Sequence, residues 1–312
     1  MRFPRLLEPG SRVALVSPAG PLRDERDLER AIENTRSLGW EPVVGKHVLD
    51  QEGYLAGTDE HRLADLNRFA GDSSIDAIWC VRGGYGAMRL LDGLDIDAWR
   101  IRPMALIGYS DITALHAALV AGAGLVTYHG PTARATLTDF TRDSFRQIVT
   151  RGAAGYRVSG GDIRCLRPGR ARGRLVGGNL ALIAALVGTP YAFDLEGAIL
   201  VIEDVNEAIY RIDRMLMQLW LSGGLRKVAG LAFGQFTDIP EDQSTEIRSL
   251  DDLLAEVADE CGVPCVASIP VGHIDDQWTI PLGRMAVLDA DAKTLTIGIE
   301  IAPPRSRRMR RL

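Results

Sequence analysis

Cysteine is scarce in this chain, which has four among its 312 residues: Cys80, Cys165, Cys261 and Cys265. None of them forms a C-x-x-C pair, and no histidine lies near the Cys261/Cys265 pair to complete a zinc-binding set. Scattered cysteines in a chain of this length are typical of reduced, mostly buried thiols. We therefore expect a cytoplasmic protein.

Continuous apolar runs long enough to cross a membrane are also missing. Two long uncharged stretches, 112–133 and 175–193, are interrupted by glycine, proline and other polar or helix-breaking residues. A membrane span needs roughly 20 continuous apolar residues. Residues 1–12 have no apolar segment typical of a signal peptide. The sequence thus predicts no membrane partner and no secretion signal.

An excess of positive charge is absent as well, because the formal net charge is -5. Basic residues do not alternate with aromatic ones outside the terminal tail, so we predict no nucleic-acid partner. The chain has no H-E-x-x-H motif, and its histidines do not stand at ligand spacing with acidic residues, so we predict no metal and no cofactor. Five arginines near the end are typical of a solvated, mobile tail: Arg305, Arg307, Arg308, Arg310 and Arg311.

What is present has the composition of an ordinary globular protein, with 46% hydrophobic and 25% charged residues. At roughly 100–200 residues per domain, the length favours two domains. In the first 130 residues, short apolar runs such as 12–17 and 77–81 alternate with amphipathic stretches such as 24–38. This alternation predicts an α/β fold with a parallel sheet covered on both faces.

The composition of the sequence changes after about residue 150, where glycine and arginine become frequent and helical periodicity disappears. We interpret residues 156–166 as an exposed strand or hairpin. The resulting prediction is an N-terminal α/β domain over 1–150, a linker or crossing region over 151–174, and a C-terminal mixed α+β, barrel-like domain over 175–312.

The segment ALIGYSDITALH, residues 105–116, places Ser110 in a turn between an apolar strand and a helix. This resembles a nucleophile elbow, although Ile112 replaces the second glycine of G-x-S-x-G. The unpaired backbone N–H of Asp111 at the helix start could stabilise an oxyanion. On this segment alone, a simple helix cap formed by Ser110 or Asp111 is the favoured interpretation.

A second strand-to-helix turn, VRGGYG at residues 81–86, is rich in glycine. Glycines permit positive φ and a close backbone approach, which suits phosphate binding or an oxyanion hole. The segment fits neither G-x-G-x-x-G nor the P-loop pattern. An ordinary tight turn is the alternative.

Five histidines are available as a base. His47 and His61 lie in polar surroundings and are interpreted as surface residues, and His116 as a core or supporting residue. His129 and His273 each follow a predicted strand, where the sites of α/β proteins form. Composition does not choose between these two.

Glu203 follows the apolar run 198–202, so its carboxylate either pairs with a base or, with Asp204, caps the next helix. The chain order Ser110, Glu203, His273 is that of α/β-hydrolase-like triads. Order alone is only suggestive, because unrelated triads use several orders.

Taken together, several segments resemble the family of serine LD-carboxypeptidases, the muramoyltetrapeptide carboxypeptidases. They follow one another in the family's order from Val13 to Gly283 and cover most of the chain. The matching segments are VALVSPAGP, VRGGYGAMRLL, IGYSDITALH, TYHGP, GRLVGGNLALIAALVGTPY, ILVIEDVNEAIYRIDRMLMQL and PVGH…IPLG.

The resemblance implies that Ser110 is the nucleophile, Glu203 the acid and His273 the base of a triad. It also implies oxyanion donors from the backbone of Gly84 and Asp111. It favours the nucleophile interpretation over the helix cap. For the fold, it implies a flavodoxin- or amidotransferase-like N-terminal domain, with the site in the cleft between the two halves.

The activity that the resemblance implies is the release of terminal D-alanine from cytoplasmic murein tetrapeptides, as part of peptidoglycan recycling. The partner would be a small peptide or muropeptide, no cofactor would be needed, and the protein would be a homodimer. We assign Arg82 to the substrate carboxylate, with a structural salt bridge as the alternative. His129 could line the cleft.

The sequence departs from the family pattern in the segment after His273. Residues 274–277 read IDDQ, where the family commonly has a glycine and later an asparagine, so the loop shape and the substrate preference are in question. The related microcin C immunity peptidases carry an aromatic-bearing loop, whereas 188–197 here is short and has no tryptophan. A non-catalytic nucleotide or sugar-phosphate binding protein is the alternative from a different class.

Overall fold

The computed structural model describes residues 1–160, 162–240 and 248–298. The strands are β1 (Arg12–Val16), β2 (Glu41–Val44), β3 (Ala77–Cys80), β4 (Ala105–Gly108), β5 (Thr127–His129), β6 (Tyr156–Ser159), β7 (Arg164–Arg167), β8 (Arg170–Asn179), β9 (Ile199–Val205), β10 (Gly230–Thr237), β11 (Cys265–Ala267), β12 (Ile280–Leu282), β13 (Met285–Asp289) and β14 (Thr294–Ile297). The α-helices are α1 (Glu25–Ser37), α2 (Asp59–Gly71), α3 (Ile96–Ile101), α4 (Thr113–Ala118), α5 (Asp139–Arg151), α6 (Leu180–Ala185), α7 (Ile209–Leu221) and α8 (Leu250–Cys261). Two 3₁₀ segments span Ala87–Gly93 and Ser110–Ile112, and a π-helical segment spans Leu119–Ala123.

The first sheet has the strand order β12-β5-β4-β3-β1-β2. Its five strands from the first half are parallel, and β12 from the second half adds on antiparallel to β5. Strands β3 and β4 are buried along their whole length, because helices cover both faces of a parallel sheet. The predicted α/β class is confirmed.

The second sheet is mixed and has the order β6-β14-β13-β8-β9-β10-β11-β7. Strands β8 to β11 are parallel, and the outer strands pair antiparallel. Ser110 follows the carboxyl end of β4 in the first sheet, whereas Glu203 lies within β9 and His273 follows β11 in the second. The fold therefore brings both halves of the chain to one site.

The structure differs from the sequence prediction between residues 151 and 174. Of the two alternatives for 156–166, strand structure is confirmed by β6 and β7. The hairpin is wrong, because β6 pairs with β14 and β7 pairs with β11, at opposite ends of the second sheet. Instead of linking two domains, the region supplies β6, β7 and the start of β8. In β8, exposed arginines alternate with buried small residues at 170–174, so the Gly/Arg-rich composition reflects a half-buried strand.

Cys80 and Cys265 are buried, Cys261 is half-buried and Cys165 is exposed, and all four are free thiols. Within the described ranges, no helix combines the length and the apolar character needed to cross a bilayer. The arginine tail that was expected to be mobile lies outside the described residues.

Candidate active site

Ser110 lies in a strained turn directly after β4. Its φ is 65°, a left-handed conformation that is uncommon for a residue other than glycine and that recurs at functional sites. The 3₁₀ segment that it opens leads into α4, and no side-chain hydrogen bond caps either element. The helix-cap interpretation of this segment is therefore wrong.

A continuous hydrogen-bonded chain joins three residues from the two halves of the protein. The Oγ of Ser110 lies 3.0 Å from Nε2 of His273, and Nδ1 of His273 lies 2.8 Å from Oε2 of Glu203. Glu203 is fully buried in β9, and His273 follows β11. A hydroxyl, an imidazole and a carboxylate in this order can pass a proton from the serine to the histidine.

Glycine makes the approach of Glu203 to His273 sterically feasible. Gly272 has a φ of 130°, and a Cβ at this position would lie 3.1 Å from Oε2 of Glu203. A larger residue before His273 would therefore crowd the carboxylate and strain the backbone.

The glycine turn at 83–86 packs directly against Ser110. A Cβ on Gly83 would lie 3.0 Å from the Cβ of Ser110, so a side chain there would crowd the serine. Gly84 has a φ of 114°, and its N–H has no hydrogen-bond acceptor among the described residues. The next amide that could face an oxyanion belongs to Asp111. These are the two donors that the family resemblance implied.

The side chain of Asp111 connects the two turns, a role that the sequence analysis missed. Its Oδ2 accepts a 2.7 Å hydrogen bond from the N–H of Ala87, directly after the glycine turn. Burial raises the pKa of this carboxyl to about 6. Asp111 therefore fixes the distance between Ser110 and the backbone of Gly84.

The two acidic residues on β9 divide the roles that the sequence left open. Glu203 points to His273, whereas Asp204 accepts hydrogen bonds from the N–H of Ala181 at 2.9 Å and from Nδ2 of Asn179 at 2.7 Å. Asp204 thereby supports the start of α6, the preceding helix, whose cap residue is Asn179. The expected cap on the next helix is wrong, because no side chain among the described residues caps α7. Burial raises the pKa of Asp204 to about 6.

His129 does not line the cleft. Only 1% of it is exposed, its ring lies 6.0 Å from that of Tyr109, and neither ring nitrogen has a partner among the described residues. Burial lowers its pKa to about 3. This burial argues against the expected contact of His129 with substrate. Tyr109, which packs edge-on against His129, also packs 4.8 Å from the ring of His273. His116 is a supporting residue, as expected, with Nε2 2.9 Å from the Gly108 carbonyl oxygen.

Arg82 extends from the glycine turn into a cluster of positive charge. Its guanidinium donates to the Pro21 carbonyl, and the ion pairs between described residues do not include it. Its pKa is lowered, first by burial and then by the positive charges of Arg134 and Arg23. Since Asp27 is the nearby carboxylate that pairs with Arg134, the cluster keeps an excess of positive charge.

The loop that follows His273 is fastened to α5 by hydroxyl groups, which the sequence analysis did not identify. Thr138 donates to Oδ1 of Asp276 at 2.5 Å, and Thr141 donates to the Asp275 carbonyl at 2.7 Å. Thr141 also accepts the N–H of Gln277 at 2.9 Å. The residues that depart from the family pattern are thus the ones that dock on α5. A third hydroxyl, on Ser144, accepts the N–H of Thr279 at 3.0 Å.

Comparison with known protein families identifies the family of this chain. Residues 13–130 match the LD-carboxypeptidase N-terminal domain, and residues 172–288 match the LD-carboxypeptidase C-terminal domain. The chain belongs to the LD-carboxypeptidase family. It is a serine-type LD-carboxypeptidase, which replaces the non-catalytic alternative, and the family resemblance inferred from the sequence is confirmed.

Relatives of this LD-carboxypeptidase span nearly the whole chain. The murein tetrapeptide carboxypeptidase of Pseudomonas aeruginosa is 34% identical over 291 residues, covering 90% of this chain and 94% of its own. The muramoyltetrapeptide carboxypeptidase structure from Oxalobacter formigenes has a TM-score of 0.83 at 30% identity, covering 94% and 100%. The microcin C7 self-immunity protein MccF, known from Escherichia coli, has a TM-score of 0.87 at 26% identity, covering 95% and 98%.

Proposed function

We propose that this LD-carboxypeptidase hydrolyses the L,D-peptide bond of murein tetrapeptides and releases terminal D-alanine, with Ser110, His273 and Glu203 as its catalytic triad. The observation that carries the proposal is the unbroken hydrogen-bonded chain from the Ser110 hydroxyl to the buried Glu203 carboxylate. The substrate follows from the activity named for the Pseudomonas aeruginosa relative.

The chemistry starts at the Ser110 hydroxyl. His273 takes the hydroxyl proton through Nε2 as Oγ attacks the peptide carbonyl, and Glu203 stabilises the imidazolium through Nδ1. The imidazolium then gives its proton to the amine of D-alanine, which leaves, and the tripeptide stays bound to Ser110 as an ester. Water attacks that ester with His273 as the base, which releases the tripeptide and restores the hydroxyl.

Negative charge on the carbonyl oxygen needs donors that are already in place. The N–H groups of Gly84 and Asp111 supply them, because Asp111 fixes one turn against the other through Ala87. Removing one such donor typically costs about 100- to 1,000-fold in rate. The positive φ of Ser110 fits this arrangement, since it presents Oγ on the same side as the glycine turn.

The terminal carboxylate of the substrate requires a cation, and Arg82 is the residue that we assign to it. The neighbouring charges of Arg134 and Arg23 add to the positive potential around it. A carboxylate arriving there would relieve the mutual repulsion of these guanidinium groups. The assignment explains why the enzyme would cut only the last residue of a peptide.

The test is incubation of the enzyme with murein tetrapeptide and with an all-L tetrapeptide, followed by mass spectrometry. We expect alanine release from the first substrate only, and none from Ser110→Ala. A chelator should leave the turnover intact, because no proton or bond in the mechanism depends on a metal. No alanine from the tetrapeptide, or equal release by Ser110→Ala, would refute the proposal.

A second candidate is a microcin C immunity-type peptidase that cleaves aminoacyl-nucleotide analogues. The observation in its favour is the TM-score of 0.87 to MccF, a protein whose complex with aspartyl sulfamoyl adenosine has been solved. The 188–197 loop argues against this candidate, because it lacks tryptophan. The hydroxyl of Tyr191 in this loop donates a hydrogen bond to Oδ1 of Asp92 at 2.5 Å. Hydrolysis of aspartyl sulfamoyl adenosine in preference to the tetrapeptide would select this candidate.

The resemblance also implies a homodimer that acts in the cytoplasm during peptidoglycan recycling. Both stay predictions. Sedimentation of the purified chain tests the first, and fractionation of the source cells tests the second.

A further inference from the structure

Outside the proposed catalytic site, two histidines meet at a single carboxylate. Nδ1 of His47 and Nδ1 of His61 each lie 2.8 Å from Oδ2 of Asp50. The three potential ligand atoms all lie within 4.8 Å of one another. The expectation that the histidines are isolated from acidic residues is therefore wrong for this pair.

The backbone around the cluster is braced from the helix that carries His61. One turn further along α2, the buried carboxylate of Asp65 accepts the N–H groups of Lys46 at 3.1 Å and of His47 at 2.8 Å. A Cβ on Gly45 would lie 2.6 Å from Asp65 Oδ2, so glycine is needed for this approach. The turn that carries His47 and Asp50 is thus fixed against α2 before any ligand arrives, which lowers the entropic cost of binding.

We propose that His47, Asp50 and His61 form a binding site for a divalent transition metal ion, with Zn²⁺ as the natural probe and water as a fourth ligand. Two imidazole nitrogens and one carboxylate oxygen are a donor set that suits Zn²⁺, whereas Mg²⁺ and Ca²⁺ prefer oxygen ligands alone. The side chains are 13%, 34% and 49% exposed, in the order given, so water has access to complete the coordination.

The carboxylate of Asp50 is already oriented by both imidazoles. The hydrogen bond from His47 is the main reason that the pKa of Asp50 is lowered. The rings are stacked 4.0 Å apart at 24°. His61, the most exposed of the three, must therefore turn about its Cβ–Cγ bond to direct its lone pair at the metal.

The metal would fasten a segment that flanks the glycine turn. Residues 45–57 include Tyr54, whose ring packs edge-on against that of Tyr85 at 5.4 Å, and Ala56, whose N–H donates to the Ala19 carbonyl. Tyr85 follows Gly84 directly. We therefore expect the bound ion to raise the melting temperature, because it binds the folded arrangement only.

The experiment measures Zn²⁺ binding to the full chain by titration calorimetry and by elemental analysis after dialysis. We expect one Zn²⁺ per chain, and at least about 100-fold weaker binding in Asp50→Asn and in His61→Gln. Even the loss of an outer hydrogen-bond partner of a ligand costs about 10- to 100-fold in affinity. Asp50→Asn keeps an acceptor for one imidazole, so it should stay folded. Mg²⁺ at the concentration used for Zn²⁺ should not bind.

Two controls separate this site from others. Glu60→Gln removes the exposed carboxylate next to His61 and makes the same change in charge outside the cluster, so it should bind Zn²⁺ as tightly as the wild type. His273→Ala removes the catalytic imidazole, which could itself bind Zn²⁺, and should also leave the binding unchanged. Binding that is lost in His273→Ala but kept in Asp50→Asn, or no binding by the wild type, would overturn the proposal. Neither outcome depends on the peptidase activity.

Discussion

Thr141→Val is the substitution that examines how α5 positions the catalytic histidine. Valine keeps the shape of threonine but has no hydroxyl, so the N–H of Gln277 and the carbonyl of Asp275 both lose their partner. Thr141 and Gln277 are buried. The loop that starts at His273 would then lose its central attachment to the first half of the chain.

The magnitude follows from the two hydrogen bonds. Each contributes about 1 kcal/mol net, and a buried group left without a partner costs about 1–3 kcal/mol. We therefore expect Thr141→Val to lower the free energy of unfolding by about 2–4 kcal/mol, which corresponds to roughly 3–6 °C for a chain of this length. A displacement of His273 by about 1 Å can cost about 100-fold in rate. We expect kcat to fall by about 10- to 100-fold, with little change in KM.

The assays are thermal unfolding and steady-state release of alanine from the tetrapeptide. Thr141→Ser retains a hydroxyl and should recover most of kcat. Thr150→Val is the matched control, because the Thr150 hydroxyl donates to the Arg146 carbonyl within the same helix and does not touch the loop. If Thr141→Val and Thr150→Val had the same kcat and the same melting temperature, the reasoning would be refuted.

Three further substitutions examine other parts of the account. Arg82→Gln should raise KM by about 10-fold or more, because a charge-assisted hydrogen bond contributes about 1.5–3 kcal/mol, whereas the exposed, ion-paired Arg89→Gln should not. Asp111→Ala should lower kcat/KM by about 10- to 100-fold, because the glycine turn loses its bond at Ala87, and Asp111→Asn, which keeps an acceptor oxygen, should recover most of it. Folded His129 stays neutral down to about pH 3, whereas the unfolded chain takes up a proton below pH 6.5. Stability should therefore fall as the pH drops, by about 2–3 kcal/mol at pH 4.5 relative to pH 7, and His129→Leu should lose this part of the pH dependence.

Each of these expectations has a measurement that can contradict it. An unchanged KM in Arg82→Gln would remove that residue from substrate binding. Equal kcat/KM values for the alanine and asparagine variants of Asp111 would mean that the hydrogen bond to the glycine turn does not matter. The free energy of unfolding of wild type and of His129→Leu can be measured by denaturant titration at pH 7 and pH 4.5. An equal loss in both proteins would show that His129 does not contribute to the loss of stability in acid.

Local patterns in the sequence account for much of the fold. The alternation of apolar runs and amphipathic stretches places β1, α1 and β3 within a residue or two of their observed bounds. The signal for Ser110, Glu203 and His273 comes from the resemblance, because their partners lie up to 163 residues apart and local pattern does not reveal such distances.

The parts that the sequence did not reveal depend on contacts between distant elements. Residues 156–166 have the composition of a hairpin. Their two strands, β6 and β7, nevertheless lie at opposite edges of the second sheet, where each pairs with a strand from far along the chain. The hydroxyls of Thr138, Thr141 and Ser144 recur every third residue, a spacing that puts them on one face of α5. That spacing was a visible signal, yet its meaning depends on a loop that lies about 135 residues further along the chain.

The central claim is that the tripeptide is transferred to Ser110 before water releases it. The most direct measurement is rapid quenching of the enzyme with excess murein tetrapeptide, followed by intact-protein and peptide mass spectrometry. The account predicts a covalent adduct with the mass of the tripeptide less water, located on Ser110, that forms together with the first equivalent of D-alanine and is absent in Ser110→Ala. D-alanine released by the wild type with an adduct on another residue, or released by Ser110→Ala at the wild-type rate, would contradict it.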